Sequence, residues 1–235
     1  MYRQVYGRAV GLAHSLFPAT CYLCLDPGQK PALDLCTGCE ADLPRNEPAC
    51  PICATKVSAA GESCHRCLRR RRAFDAAFVP YRYEFPLPEL VQRMKYRGVL
   101  PITRILGSLL GRRVAERGVP QVDAIVPVPL SAKREHRRGY NQAREIANFA
   151  ARELGLPVED RLARRIRETA EQTGLSAGAR RRNLRSAFMI EAGAVPSRVA
   201  IVDDVMTTSA TAESLALAFR RAGCRRIEVW AIARA

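Results

Sequence analysis

Lysine is nearly missing from this basic chain. Of 235 residues only Lys30, Lys56, Lys95 and Lys133 are lysine, so the formal charge of +15 is carried almost wholly by arginine, the cation suited to bidentate phosphate contacts. Long apolar runs are missing too, and no segment approaches the length of a membrane span. Beyond Cys67, cysteine occurs only at Cys224, which confines clustered thiol chemistry to the N-terminal part. The length leaves room for one ordinary α/β core with a small satellite and excludes two large cores. A convincing secretion signal is also lacking. Arg3 and Arg8 precede a partly apolar run from Val10 to Phe17, but His14 breaks that run, and Pro18 stands where a small or branched residue would precede a lipidated cysteine. A reduced, cytoplasmic location is the expectation.

Eight of the nine cysteines lie between Cys21 and Cys67, as four Cys-x-x-Cys pairs. Eleven residues separate Cys21/Cys24 from Cys36/Cys39, and ten separate Cys50/Cys53 from Cys64/Cys67, close to the spacing of two successive four-cysteine zinc ribbons. Disulfides are the alternative, and the lack of a secretion signal weighs against them. Two zinc ions are expected, one on Cys21, Cys24, Cys36 and Cys39 and one on Cys50, Cys53, Cys64 and Cys67. Each pair sits on a tight knuckle, and four protein ligands leave no open position for a substrate, so both sites read as structural. Ligation requires thiolates, which lowers the formal charge by four and leaves the chain strongly basic. So short a segment cannot fold on its own apolar material, and the metals are expected to supply most of its stability. His65, between the last ligands, reads as a bystander.

Residues 1–20 read as an N-terminal helix, amphipathic over 2–17. Residues 21–72 form the double ribbon, closed by the charged hinge Arg69 to Arg72, and residues 73–235 form the larger domain. Its expected elements are a strand from Phe78 to Tyr83, a helix from Pro88 to Tyr96, and a second helix begun by Pro101 with Ile102, Ile105, Leu106, Leu109 and Val114 on one face. A buried strand from Val122 to Val128 leads into a basic loop, Leu130 to Gln142. A helix then carries Ile146, Ala147, Ala150 and Leu154 on one face and stops at Gly155. A polar, arginine-laden stretch from Arg161 to Arg185 interrupts the pattern. It resumes as a strand ending at Val202, a helix from Thr211 to Ala222 and a last strand, Ile227 to Ile232. Strands alternating with helices predict an α/β fold, a parallel sheet with helices on both faces whose ligands bind at the carboxyl ends of the strands.

The richest stretch is Val199 to Thr211, Val-Ala-Ile-Val-Asp-Asp-Val-Met-Thr-Thr-Ser-Ala-Thr. Four apolar residues run into two adjacent carboxylates, and small hydroxyl residues then enter a helix. Backbone N-H groups and hydroxyls of Thr207, Thr208, Ser209, Ala210 and Thr211 can converge there on a phosphate, with the helix dipole favouring the anion. Asp203 and Asp204 can hold the two hydroxyls of a ribose, directly or through a divalent cation. After the preceding strand, Lys133, Arg134, Arg137 and Arg138 precede Gly139 at a second strand end. This arrangement suits a pyrophosphate leaving group, though a solvated basic loop would read the same way.

The Asp-Asp stretch resembles the phosphoribosyl pyrophosphate (PRPP) signature of type I phosphoribosyltransferases, in which a strand runs into Asp-Asp and then Thr-Thr-Gly-x-Thr. Ser209 stands where that signature has Gly. Its Cβ makes a positive φ costly and narrows the approach to a phosphate, so turnover is expected to suffer more than binding. Together with Lys95-Tyr96-Arg97-Gly98, Arg138-Gly-Tyr-Asn-Gln142, the Arg-x-Thr-x-x-Gln element from Arg167 to Gln172 and the cysteine pairs, the chain resembles the ComF family from Pro18 to Ala235. The resemblance implies a type I phosphoribosyltransferase fold over 73–235. It also implies PRPP with magnesium as ligand and, in competent bacteria, a role in handling single-stranded DNA beside a competence or helicase protein.

Three functions compete. One is a transferase acting on an unidentified base or amine. The second is a binding protein that keeps the PRPP pocket and tracks single-stranded DNA with Arg164, Arg165, Arg167, Arg180, Arg181, Arg182 and Arg185, unless that segment is a lid. The third is a zinc-ribbon adaptor for a protein partner. Tyr140 and Phe188 are candidate base-stacking residues, and Trp230 is the one aromatic in the segment expected to read a base.

Overall fold

The computed structural model of the chain describes residues 19–29, 33–97, 99–118, 120–166, 187–191, 193 and 195–235. The expected N-terminal helix lies outside these residues, as do Arg167, Arg180, Arg181, Arg182 and Arg185. The described elements run α1 (Thr37–Ala41), α2 (His65–Arg69), β1 (Ala76–Phe78), β2 (Tyr81–Arg82), α3 (Leu87–Arg97), α4 (Leu100–Ala115), β3 (Ala124–Pro127), α5 (Ala132–Arg138), α6 (Gln142–Leu154), β4 (Ala163–Arg165), β5 (Phe188–Ile190), β6 (Arg198–Met206), α7 (Ala210–Arg221) and β7 (Arg226–Arg234).

The sheet has the order β1-β7-β6-β3, with β2 following β1 along the same edge of β7, and every pair in it is parallel. Its central strands are apolar on both faces because both are covered, which is why Val199 to Val202 reads as a continuous run and not an alternation. Val199, Ile201, Val229 and Ala231 pack with Leu215 and Phe219 of α7. Ala200, Val202, Trp230 and Ile232 turn the other way, onto Leu106 and Leu109 of α4 and Ile146 and Ala150 of α6. Helices α4 and α6 pack closely at two glycines. A Cβ on Gly107 would lie 2.6 Å from the Phe149 Cβ, and one on Gly111 would lie 2.7 Å from the Glu153 Cβ.

Several elements depart from expectation. The first strand is two short pieces, β1 and β2, broken where Pro80 offers no N-H to a ladder. The basic loop contains a helix, α5. Ser131 caps its start by accepting from the Arg134 amide, and Gly139, at φ 76°, ends it. Strand β6 does not stop at Val202. Pairing with β7 carries it through Val205↔Ala233 and Met206↔Arg234, whereas β3 leaves it after Pro127↔Val202. Asp203 and Asp204 therefore stand one step beyond the end of the neighbouring strand. Helix α7 starts at Ala210, one residue early. The start of the arginine-laden stretch forms an antiparallel pair with the residues just beyond its end, Ala163↔Ile190 to Arg165↔Phe188, which the polar composition concealed.

Candidate functional site

Parallel strands place their carboxyl ends together, so the β3–α5 turn and the β6–α7 turn open on the same side of the sheet. Asp203 and Asp204 lie within β6, just past the end of β3, both half-buried. Each caps its follower: the Asp204 amide donates to Asp203 Oδ1 at 2.9 Å and the Val205 amide donates to Asp204 Oδ1 at 2.6 Å. Lys95 Nζ, from the last turn of α3, lies 2.9 Å from Asp204 Oδ2. Burial of its carboxyl, and then the neighbouring Asp204 charge, push Asp203 up to about 7, against the pull of the Asp204 amide, Lys95 and Arg165. The two acids are thus inequivalent: one is ion-paired and the other is poised to exchange a proton or take up a cation.

The loop beyond them exposes Thr207 and Thr208 and half-buries Ala210 and Thr211. Ser209 is 4% exposed and adopts φ 64°, ψ 8°, the left-handed conformation in which the signature has glycine. Serine accepts the conformation here because its carbonyl still receives the first helical bond, from the Glu213 amide at 2.9 Å. Its Oγ is buried and has no hydrogen-bond partner among the described residues. A buried hydroxyl left so costs about 1–3 kcal/mol, and a ligand oxygen would satisfy it.

The basic helix α5 carries Lys133, Arg134, Arg137 and Arg138. Arg138 Nη1 donates to Gln142 Oε1 at 3.0 Å, and its guanidinium lies 5.8 Å from the Tyr96 ring centroid. Much of the Arg138-to-Gln142 motif is architectural. Gly139 ends α5, Tyr140 Oη donates to the Met94 carbonyl, and Asn141 caps α6 while donating to the Val128 carbonyl at 3.1 Å. His136 is exposed. The last turn of α3 therefore joins the two halves of the site, with Lys95 on the acid pair and Tyr96 on the basic helix.

Lys95 was visible in the sequence only as part of a motif. Its signal was to be one of four lysines in an arginine-rich chain, but its partner lies far away in the sequence. Arg234 gave no signal. Its Nη1 donates to the carbonyls of Met206, at 2.6 Å, and Thr207, and its Nη2 donates to Thr55 Oγ1 at 2.9 Å. The aromatic candidates are otherwise employed. Trp230 is fully buried with Nε1 on Glu228 Oε2, Phe188 is buried, and Tyr140 is tied to α3.

Arg164 and Arg165 line a separate cavity of about 480 Å³ beside the β3–α5 turn, together with Glu135, Arg144, Asp160 and Glu191. Arg144 pairs with Asp160 at 3.1 Å and Arg164 with Glu191 at 3.4 Å, so its walls carry both signs of charge. The acid pair does not line it.

The two cysteine sets assemble as their spacing requires. In each, the four Sγ atoms lie within 4.8 Å of one another, with Cys24–Cys36 and Cys53–Cys64 at 3.5 Å. A zinc–sulfur bond of about 2.3 Å sets tetrahedral sulfurs about 3.8 Å apart, so both sets fit a structural zinc ion. Burial and the neighbouring thiols hold Cys67 up at about 12, against a hydrogen bond from Arg72, while hydrogen bonds from Thr55 and the other thiols outweigh burial and bring Cys53 down to about 7. Four thiols so close cannot all ionise without a cation among them. No helix among the described residues is long and apolar enough to cross a membrane.

Comparison with known proteins bears on the ribbons and on the family. Residues 12–68 match the double zinc ribbon domain. Competence protein F of Haemophilus influenzae is 35% identical over 210 residues, spanning 86% of this chain and 90% of the relative. The DNA utilization protein YhgH of Salmonella typhi is 33% identical over 221 residues, spanning 92% and 97%. A solved purine phosphoribosyltransferase of Pyrococcus horikoshii overlays 68% of this chain and 86% of its own at 15% identity, with a TM-score of 0.35, too loosely to bear on the chemistry.

Proposed function

From the premise that this chain belongs to the ComF family, we propose that it binds PRPP or another 5′-phosphoribosyl compound with a divalent cation at the carboxyl end of β6, and that it acts on single-stranded DNA in competence. Asp203 and Asp204 take the ribose hydroxyls. The amides and hydroxyls of Thr207, Thr208, Ser209, Ala210 and Thr211 take the 5′-phosphate, and Lys133, Arg134, Arg137 and Arg138 take the pyrophosphate. Magnesium, when bound with PRPP, would neutralise part of the pyrophosphate charge. The observation that carries the proposal is the loop itself: two acids one step past the end of the neighbouring strand, then a residue in the left-handed conformation at the start of a twelve-residue helix, its buried hydroxyl without a partner among the described residues.

DNA enters through the relatives, a competence protein and a DNA utilization protein, and through charge. The arginines from Arg164 to Arg185 suit a phosphate backbone, and binding through them would weaken steeply with salt. A competence or helicase protein remains the expected partner. A second reading, an active transferase, is favoured by Asp203, since a carboxyl near 7 can accept a proton at neutral pH. Pyrophosphate release from PRPP with a panel of bases and amines separates the two.

Calorimetric titration of PRPP and magnesium tests the common core. The double variant Asp203→Asn, Asp204→Asn should lose more than about tenfold in affinity, since hydrogen bonds to charged groups contribute about 1.5–3 kcal/mol each. Equal affinity in the two proteins would sink the proposal.

A further inference from the structure

Arg234 closes β7 and ends far from Thr55 in sequence, yet the two meet. One guanidinium nitrogen holds the carbonyls of Met206 and Thr207, and the other holds the hydroxyl of Thr55 in the second cysteine cluster. Thr55 Oγ1 lies 3.4 Å from Cys53 Sγ. When Cys53 is a zinc-bound thiolate it can only accept, so the Thr55 hydroxyl must donate its proton to sulfur and turn a lone pair to Arg234. The contacts then form one continuous chain from metal to Cys53, Thr55, Arg234 and the two loop carbonyls, with Arg234 donating at both of its ends. Peptide groups are rigid planes, so fixing the carbonyls of 206 and 207 fixes where the amides of 207 and 208 point.

A second tie reaches the same loop from the other side. Glu213, in the first turn of α7, accepts from the Ala73 amide at 3.3 Å and lies 3.8 Å from both Arg70 and Arg72, which follow the last cysteine of that cluster. These cations offset an acid that would otherwise oppose an anion at the start of α7. The first cluster has no comparable contact with this loop among the contacts described.

We infer that Arg234 is a positioning residue for the β6–α7 loop, and that Thr55 links it to the second zinc site, so that this metal holds the anion-binding loop in shape. The inference rests on the proposed phosphoribosyl reading for its ligand, but the ordering of the loop can be measured without one.

Thr55→Val keeps the side-chain shape, all eight metal-site cysteines and Arg234, and removes only the hydroxyl. Hydrogen–deuterium exchange over residues 206–211 should become faster in this variant, and PRPP–magnesium affinity should fall about fivefold, as expected for one hydrogen bond. Thr55→Ser should restore both, which a purely packing role for Thr55 would not produce. Asp26→Asn, beside Cys24 in the first cluster, should change neither. Zinc content should stay at two per chain in every variant. If Thr55→Val exchanges and binds like the wild-type protein, the link is absent. If the wild-type protein binds no PRPP at millimolar ligand while Thr55→Val still loosens the loop, the phosphoribosyl reading fails and the link stands.

Discussion

The two cysteine clusters are near copies in spacing and differ in how they join the rest of the molecule. The first is built into the apolar core: Cys21, Leu33, Leu35 and Leu43 are buried in one cluster with Leu87, Met94, Ile102 and Leu106 of α3 and α4. The second keeps a small apolar centre of its own, Cys50, Cys53 and Cys67. Its links outward are largely polar. Asn46 Nδ2 bridges the Ala54 and Val79 carbonyls at 2.9 and 3.0 Å, the Ala77 amide donates to the Pro51 carbonyl, and Arg234 joins Thr55 to the β6–α7 loop. Apolar burial is large and non-directional, whereas hydrogen bonds are modest and directional. The first cluster is thus suited to hold the fold up and the second to hold a loop in place.

The largest contrast should come from removing a ligand. Cys21→Ser removes the one fully buried ligand of the first site and should abolish the main cooperative unfolding transition together with one zinc. Cys64→Ser should also cost one zinc but leave that transition in place, as elemental analysis and calorimetry would report. If the two variants unfold alike, the clusters are structurally equivalent after all.

Truncating an apolar side chain in each cluster sharpens the comparison. Leu35 is 1% exposed, and Leu35→Ala should cost about 2–5 kcal/mol in denaturant unfolding, as cavities in well-packed cores do. Ile52, only partly buried against the second cluster, should cost under about 1 kcal/mol on the same change.

A smaller effect belongs to the site itself. Asp203 rises from 3.8 to about 7 on folding, so the folded chain holds that proton more tightly than the unfolded one. The resulting stability is full below pH 3.8 and drains away as pH climbs through 7. Asp203→Asn should flatten stability across that window and stabilise the apo protein at pH 8, on the order of 1 kcal/mol. An unchanged pH profile would place the burial elsewhere.

Local features of this architecture were readable because they are spacings along the chain. Four Cys-x-x-Cys pairs name their own partners, and the apolar run Val199 to Val202 marks a buried strand, although β6 continues through Asp203 and Asp204 to Met206. Ser209 shows the boundary of such reading: its identity argued against a left-handed turn, yet the helix that follows and the buried carbonyl bond impose one. The helix inside the basic loop was hidden because charge was read before helix propensity, although Ala132 to Arg138 contains good helix formers behind a serine cap. Lys95 and Arg234 were invisible as site residues because each acts on a partner about a hundred positions or more away, and side-chain pairing over that range is set by the sheet order and not by any local pattern.

The most direct test of the division between the clusters is to titrate PRPP and magnesium into folded Cys64→Ser protein shown to carry one zinc. Affinity several-fold below wild type, with the main unfolding transition retained, is the predicted result. Wild-type affinity in a chain that has lost the second zinc would contradict it.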